Sequence, residues 1–323
     1  MDLSTTLSLA LTNLTSIPVL AFVLGVLAAS LRADLRLPDP VYQAIAMYLL
    51  FAIGLKGGVA LRKSDVSQVV GPVIATLIMG VVIPLLAYVI LRFVTRLGVV
   101  DRGALAAHYG STSLVTFTAA LVFLETANIA FEGYVTTLLT LLEIPGIIIG
   151  LMLATRGTES HGTWSASLRE VLTGKSVLLL AGGLVIGVIS GPKGFEKVEP
   201  FYGALYIGML SLFLLEMGAL VGRRMPDIRK AGWGLIGFAI VFPLLSGTLG
   251  VLAGTATGMS VGGATVLGVL CASASYIAAP AAVRLMLPQA NPAFTLTASL
   301  GITFPFNLIV GIPVLLLISQ SIH

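Results

Sequence analysis

Two clusters of small and hydroxyl-bearing residues interrupt otherwise apolar stretches of this sequence. The first is His108-Tyr-Gly-Ser-Thr-Ser113 and the second is Ala272-Ser-Ala-Ser-Tyr276. A helix that is interrupted inside a bilayer leaves backbone N–H and C=O groups unpaired, which costs several kcal/mol per group unless a ligand, ion or water satisfies them. The N-termini of half-helices suit an anion, whereas free carbonyls and hydroxyls suit Na⁺. The clusters therefore predict a small-anion site formed by Gly110, Ser111, Thr112, Ser113, Ser273, Ala274, Ser275 and Tyr276.

Small residues have a second use, because they also allow membrane helices to pack closely. We favour binding over packing because the two clusters occupy corresponding positions in the two halves of the chain. His108 is compatible with either a binding role or a structural hydrogen bond.

A proline follows a polar residue in the last predicted helix of each half, in Glu143-Ile-Pro145 and in Thr303-Phe-Pro-Phe-Asn307. Proline cannot donate a backbone hydrogen bond, so it frees carbonyls in the preceding turn. Glu143 lies in the middle of an apolar run, where a carboxylate indicates function, although a protonated Glu143 bonded to a neighbouring helix is the structural alternative. We predict a Na⁺ site whose ligands are Thr116, Glu143, Thr303 and Asn307.

Two further charges, Lys56 and Glu216, correspond to each other when the two halves are aligned. Residues related by a two-fold axis can meet, so the alignment predicts an ion pair between them. A direct part in transport is the alternative.

The elements that hold these residues are apolar enough to lie in a membrane. Only 10% of the residues are charged and 57% are hydrophobic, whereas an ordinary soluble domain has roughly 25% charged residues. A soluble protein and a nucleic-acid-binding protein are both excluded, because the basic residues sit in short loops where membrane orientation explains them. The single cysteine, Cys271, excludes an internal disulfide and a multi-cysteine metal site.

Ten hydrophobic runs are long enough to cross or nearly cross a bilayer: Ile17–Leu31, Val41–Leu61, Val69–Phe93, Ala104–Leu124, Tyr134–Ala154, Ser176–Ser190, Phe201–Val221, Gly232–Gly254, Gly262–Leu285 and Phe294–Ser319.

The sequence repeats itself after a shift of about 160 residues. Pro40, Tyr42 and Gly58 fall on Pro200, Tyr202 and Gly218, and the matches continue through four helices. We predict an all-α integral membrane protein of about ten transmembrane helices in 5+5 inverted repeats, with discontinuous helices 4 and 9. The first repeat comprises residues 1–155 and the second residues 176–323, joined by a cytoplasmic connection of residues 156–175. Five spans per half is an odd number, so the halves enter the membrane from opposite sides.

Positive charge supports this count, because cytoplasmic loops are enriched in Lys and Arg. The odd-numbered loops carry Arg32, Arg36, Arg92, Arg96, Arg102, Arg156, Arg169, Lys175, Arg223, Arg224, Arg229, Lys230 and Arg284, and the even-numbered loops only Arg62, Lys63, Lys193 and Lys197. We therefore expect a multi-pass protein of the bacterial plasma membrane with both termini outside. The stretch Met1–Ser16 lacks the basic residues of a signal peptide, so we expect the first run to be retained.

Inverted repeats with broken helices are typical of secondary transporters. Enzyme motifs such as Gly-x-Ser-x-Gly, His-Glu-x-x-His and a phosphate loop are missing. We therefore expect no enzyme and no resident cofactor. A membrane hydrolase using the Ser111 cluster with His108 is the enzymatic alternative.

Several of these segments together resemble a known family. Gly54-Leu-Lys-Gly-Gly58, the two serine-containing breaks, Pro288-Gln-Ala-Asn-Pro292 and Gly301-Ile-Thr-Phe-Pro-Phe-Asn307 are similar to the sodium-dependent bicarbonate transporters known from cyanobacteria. The similarity extends over essentially the whole chain.

The resemblance implies Na⁺-coupled uptake of bicarbonate by a homotrimer, with helices 3–5 and 8–10 as a moving core and helices 1, 2, 6 and 7 as a gate. A porter for another small organic anion and a passive anion channel are the alternatives. Two features differ from the cyanobacterial members. Tyr276 stands where they have an acidic residue, and residues 156–175 replace a long hydrophilic insert, which weakens the implied binding of a PII-like regulator.

Overall fold

The computed structural model describes residues 15–33, 35, 37–156, 164–228 and 232–323, and the regular elements of these ranges are all helices. Residues 1–14 and 157–163 and the basic residues Arg36, Arg229 and Lys230 lie outside the described residues. The helices are α1 (Ile17–Ser30), α2 (Asp39–Lys63), α3 (Val66–Val94), α4 (Val99–Tyr109), α5 (Leu114–Thr126), α6 (Val135–Thr155), α7 (Trp164–Thr173), α8 (Lys175–Glu196), α9 (Tyr206–Ile228), α10 (Trp233–Ala256), α11 (Val261–Ala272), α12 (Ala278–Met286) and α13 (Pro292–Ile322).

Eight stretches of the described chain are long and apolar enough to cross a membrane. One of them, Val99–Thr126, contains both α4 and α5. The remaining two hydrophobic runs form the shorter apolar helix α1, with 14 residues, and the pair α11 and α12. The all-helical, multi-pass membrane protein expected from composition is confirmed.

Both predicted interruptions are present. The fourth hydrophobic run is divided between α4, which ends at Tyr109, and α5, which begins at Leu114. The ninth is divided between α11, which ends at Ala272, and α12, which begins at Ala278. Ser113 and Ser273 have extended backbone conformations, so the chain leaves the helical path at each cluster.

Glycines bring α2 against α8 and α9 against α1. A Cβ at Gly58 would overlap the carbonyl oxygen of Leu184, and a Cβ at Gly218 would overlap that of Phe22. Gly58 and Gly218 correspond under the 160-residue shift, and the partner helices correspond as well. Each half of the chain thus contributes one helix to each of these two tight pairs.

The other helices pack in two groups. In the first half, α3, α4 and α6 contact one another, and the backbone of Gly146 in α6 lies against Gly110 at the first break. In the second half, α10, α11 and α13 contact one another, with Gly247 close to the side chains of Ala272 and Leu315. These contacts place both breaks in the interior, where Ser111, Ser113, Ser273 and Ser275 are all buried.

The two prolines in α6 and α13 have different effects. Around Pro305, α13 contains two π-helical stretches, Thr297–Thr303 and Asn307–Gly311. By contrast, α6 continues as α-helix through Pro145. The expected disruption is therefore found in the last helix only, and π-helical turns of this kind are frequent at functional sites.

The ion pair expected between Lys56 and Glu216 is wrong. Glu216 pairs with Arg223 at 3.2 Å and accepts a hydrogen bond from the backbone N–H of Leu37 at 2.8 Å. The ammonium of Lys56 instead lies 5.1 Å from the centre of the Tyr206 ring. The two charges lie at different levels of α2, because Glu216 contacts Leu37 just before α2 begins at Asp39, whereas Lys56 lies seven residues before its end at Lys63.

Candidate functional site

The two breaks cross in the interior and hold each other through backbone hydrogen bonds. The backbone N–H of Ser113 donates to the hydroxyl of Ser273 at 3.0 Å. The backbone N–H of Ser275 donates to the carbonyl of His108 at 2.8 Å. Each break thus satisfies a backbone group of the other, which explains how irregular chain is tolerated in an apolar interior.

Each break is followed by a half-helix with a serine at its start. The Ser113 hydroxyl accepts from the backbone N–H of Thr116 at 3.2 Å, at the start of α5. The Ser275 hydroxyl accepts from the backbone N–H of Ala279 at 3.2 Å, at the start of α12. Two helix N-termini, each with a positive dipole end, therefore lie at the crossing, and such ends favour a negative charge.

Tyr276 belongs to the same cluster of polar groups. The hydroxyl of Ser113 donates to the Tyr276 hydroxyl at 3.2 Å. The Tyr276 ring makes an edge contact with Phe304 of α13, with 5.6 Å between ring centres. Tyr276 thus provides a neutral hydroxyl at the second break and connects this break to α13.

A small pocket lies between the two breaks. Its volume is about 10 Å³, which is room for about one water molecule. Its polar lining consists of Thr112, Ser113, Glu143, Ser176, Ser275 and Tyr276. We call this pocket the central site. Four of the six hydroxyl-bearing residues predicted for the anion site, Thr112, Ser113, Ser275 and Tyr276, thus lie together with Glu143 around this pocket.

Glu143 is the acidic residue of the central site. Its side chain is only 6% exposed and accepts a long hydrogen bond from the Thr112 hydroxyl at 3.4 Å. Within the described ranges it forms no ion pair. A buried carboxylate beside several hydroxyls is a chemically suitable environment for a small cation with oxygen ligands.

The other predicted sodium ligands do not line the central site. Thr116 is bonded to Ser113, its hydroxyl donating to the Ser113 hydroxyl at 3.0 Å. The Thr303 hydroxyl donates to the carbonyl of Ala239 at 2.6 Å and is 2.7 Å from the Tyr109 hydroxyl. The hydroxyls of Thr116 and Thr303 are therefore already hydrogen-bonded within the protein.

The side chain of Asn307, in α13, reaches the C-terminal end of the half-helix α11. Its side-chain N–H donates to the carbonyl of Ala272 at 2.8 Å, which satisfies one of the carbonyls that the second break leaves free. Its side-chain oxygen is buried and has no hydrogen-bond partner. A buried amide oxygen without a partner is costly unless it binds a donor or a cation.

Two more buried groups near the first break lack partners. Ser111 is 1% exposed and its hydroxyl has no hydrogen-bond partner. His108 is fully buried, with Nδ1 2.7 Å from the carbonyl of Ala104 and Nε2 unpartnered. Because a carbonyl can only accept, Nδ1 carries the proton and the neutral ring keeps a free acceptor at Nε2.

Sequence reasoning missed Ser176. It is 7% exposed at the start of α8 and lines the central site. A larger pocket of about 280 Å³ also includes Ser176 and Ile277 in its lining and reaches Lys175. The only signal in the sequence is a hydroxyl at the beginning of the sixth hydrophobic run, next to a basic residue.

Comparison with known proteins assigns the chain to a family. None of the curated proteins compared with the chain matches it. Residues 18–320, which extend from α1 into α13, match the model of the Na⁺-dependent bicarbonate transporter superfamily. The match includes both breaks, Glu143 and the α13 segment with Pro305. The chain therefore belongs to the Na⁺-dependent bicarbonate transporter superfamily.

Proposed function

We propose that this protein is a secondary active transporter that couples the inward movement of Na⁺ to uptake of bicarbonate or a similar small anion. The observation that carries the proposal is the central site, where two half-helix N-termini and a buried carboxylate meet between Ser113, Ser275 and Glu143. These groups suit an anion and a cation, and the pocket, which has room for about one water molecule here, widens to admit them when the core moves.

The proposal includes ten spans in two inverted repeats, residues 1–155 and 176–323, with both termini outside a bacterial plasma membrane. The equivalent contacts of Gly58 with Leu184 and of Gly218 with Phe22 support it. The tight pairs α1–α9 and α2–α8 form the gate in this proposal, and the remaining spans form the moving core.

For the anion, we assign binding to the residues of the two breaks. The N-terminal N–H groups of α5 and α12 and the hydroxyls of Thr112, Ser113, Ser275 and Tyr276 can donate to oxyanion oxygens. Gly110, Ser111, Ser273 and Ala274 shape the crossing. A site with neutral donors suits a singly charged anion, because no fixed cation lies in the lining.

For Na⁺, we assign Glu143 as the charged ligand. Asn307 contributes through its unpartnered side-chain oxygen. Thr116 and Thr303 complete the set when the core moves and their present hydrogen bonds rearrange. Na⁺ is a transported ion in this mechanism, not a resident cofactor.

Transport by alternating access requires that the central site face one side at a time. The pocket at Ser176 and Ile277 adjoins the central site and reaches Lys175, at the end that positive charge assigns to the cytoplasm. The structure thus resembles a state closed around its polar groups and nearest to opening inward. A homotrimer is our expectation for the assembly, and binding of a PII-like regulator is a separate proposal, weakened by the short connection.

Uptake by purified protein in liposomes tests the function. Radiolabelled bicarbonate should accumulate above its external concentration when Na⁺ is higher outside, and an equal K⁺ gradient should not support this. Glu143→Gln should shift half-maximal uptake to higher Na⁺. Uptake that only equilibrates, with or without Na⁺, would indicate a passive channel, and accumulation of a carboxylate such as formate in place of bicarbonate would indicate an organic-anion porter.

A further inference from the structure

A separate cavity lies beside Lys56 and Tyr206. Its volume is about 410 Å³ and it lies between α2, α5 and α9 and the segments that precede α6 and α9. The polar residues of its lining are Lys56, Thr118, Glu125, Thr136, Glu199 and Tyr206. We call it the outer chamber, because the connections around it are those that positive charge assigns to the outside.

Lys56 is the cation of this chamber. It lies seven residues before the end of α2 at Lys63, which places it about 10 Å along the helix from that end. Its side chain is exposed to the chamber, with the ammonium over the ring of Tyr206. In the part of the chain that the structure describes, Lys56 forms no ion pair. An ammonium at this depth in a membrane protein requires water or a counter-ion.

The two carboxylates of the chamber lie nearer its mouth. Glu125 is one residue before the end of α5, and Glu199 lies in the turn that precedes α9. Both side chains are exposed and neither is within ion-pair distance of Lys56. The chamber therefore has acidic groups at its rim and a basic group inside. The Tyr206 ring contacts only one side of the Lys56 ammonium, so other N–H groups of the ammonium can donate to an anion.

The inner end of the chamber is closed by a hydrogen bond between α5 and α9. The hydroxyls of Thr118 and Tyr206 are 2.9 Å apart, and Thr118 also donates to the carbonyl of Leu114 at 2.9 Å. Thr118 is five residues beyond Ser113, or about 8 Å along α5. The linings of the chamber and of the central site have no residue in common.

We propose that the outer chamber is a second binding site for a small monovalent oxyanion, held by the ammonium of Lys56, on the path from outside to the central site. The anion waits at Lys56 until the Thr118–Tyr206 hydrogen bond opens and α5 moves relative to α9. This inference deepens the proposed function and depends on it for the identity of the anion, but the presence of an anion-attracting chamber can be tested without any transport.

A thiol reporter measures the charge in the chamber directly. Ala204 is exposed and lines the chamber, whereas the native Cys271 is 1% exposed. Ala204→Cys is therefore treated from outside with a negatively charged and a positively charged methanethiosulfonate, and the protein without the reporter gives the background. A unit charge in the same water-filled chamber attracts one reagent and repels the other, so it should change the ratio of the two rates about fivefold.

Lys56→Met should reduce the ratio of anionic to cationic reaction about fivefold, and Lys56→Arg should preserve it. The matched control is Lys197→Met, which removes an exposed charge that is not in the chamber lining. An unchanged ratio in Lys56→Met, or reaction of the reporter from the inside only, would overturn the inference.

Protection by anions connects the chamber to the substrate. Bicarbonate should slow the reaction of the reporter cysteine with the anionic reagent when Lys56 is present, and it should have no such effect in Lys56→Met. If formate protects the reporter cysteine and bicarbonate does not, the chamber binds anions but the proposed substrate is wrong. If none of bicarbonate, formate and nitrate protects, the chamber does not bind anions and the inference is wrong.

Discussion

The carboxylate of Glu132, in the segment before α6, binds the start of α11 through Ser260. It accepts from the Ser260 backbone N–H at 2.6 Å and from the Ser260 hydroxyl at 3.2 Å. A similar bond joins the halves elsewhere, since Asp101 in the first turn of α4 accepts from the backbone N–H of Asn291 at 2.8 Å. The starts of both interrupted helices are therefore tied to the opposite half of the chain. Together with the bonds between the two breaks, these ties join the crossing helices into one hydrogen-bonded unit.

The bond between Glu132 and Ser260 should contribute measurably to stability. Glu132→Ala removes a charged acceptor from a helix N-terminus, which should lower the free energy of unfolding by about 1–2 kcal/mol. Glu196→Ala, at the exposed end of α8, is the control and should have little effect. Unfolding of the detergent-purified variants by heat gives the comparison. Equal stability of both variants would show that the tie contributes nothing.

Replacing a glycine by alanine should destabilise the protein strongly at the tight helix contacts and have little effect at open positions. Gly58→Ala and Gly218→Ala each place a methyl group against a backbone carbonyl, which cannot move aside as a side chain can. Each should destabilise the protein by about 1–3 kcal/mol or more and reduce the yield of folded protein. Gly182→Ala and Gly208→Ala, where a Cβ meets nothing within 4 Å, should be neutral or slightly stabilising. Similar yields and melting temperatures for all four variants would contradict the packing described here.

The serines of the breaks should affect substrate binding as well as stability. Ser113→Ala and Ser275→Ala each remove a hydroxyl that lines the central site and accepts from a backbone N–H at a helix N-terminus, at a cost of about 1 kcal/mol. We expect both to raise the half-saturating concentration of bicarbonate several-fold. Ser260→Ala removes the comparable cap of α11, outside the central site, and should lower stability without changing this concentration. If the three variants behave alike in uptake, the breaks are packing features only.

The charges at Lys56 and Glu216 should act independently. Because Glu216 pairs with Arg223, the effects of Lys56→Met and Glu216→Gln on unfolding free energy should add. Glu216→Gln and Arg223→Met should instead be coupled by about 0.5–1 kcal/mol, a modest value because Arg223 is partly exposed. If the Lys56 and Glu216 variants are coupled and the Glu216 and Arg223 variants are additive, Glu216 pairs with Lys56, as the repeat alone predicts.

Labelling of single cysteines tests the orientation. Cysteines at Lys63 and Lys193 should react with an impermeant reagent applied to intact cells, and cysteines at Arg96 and Met225 should react only after the cells are opened. The opposite pattern would reverse the orientation. Labelling of Lys63 and Arg96 from the same side would require an even number of crossings between them and would contradict the proposed topology.

The sequence was most informative where a single segment determines the structure. The breaks at Gly110–Ser113 and Ser273–Tyr276 could be predicted because a run of small and hydroxyl residues weakens a helix locally. Contacts between helices depend on how each helix is rotated, and no single segment encodes this. For that reason the sequence does not reveal that Lys56 lies beside Tyr206, that Thr303 is hydrogen-bonded to Ala239 and Tyr109, or that Ser176 lines the central site.

The tight pairs α1–α9 and α2–α8 have a consequence for how the protein is made. When a ribosome has finished α1 and α2, the helices that will cover Gly25 and Gly58 have not yet been translated. These faces of α1 and α2 remain without their partner helices in the bilayer until α8 and α9 are inserted. The first half therefore completes its fold only after most of the second half is present. Two separately expressed halves, divided within residues 157–163, should therefore assemble with each other in one membrane, whereas either half alone should be degraded.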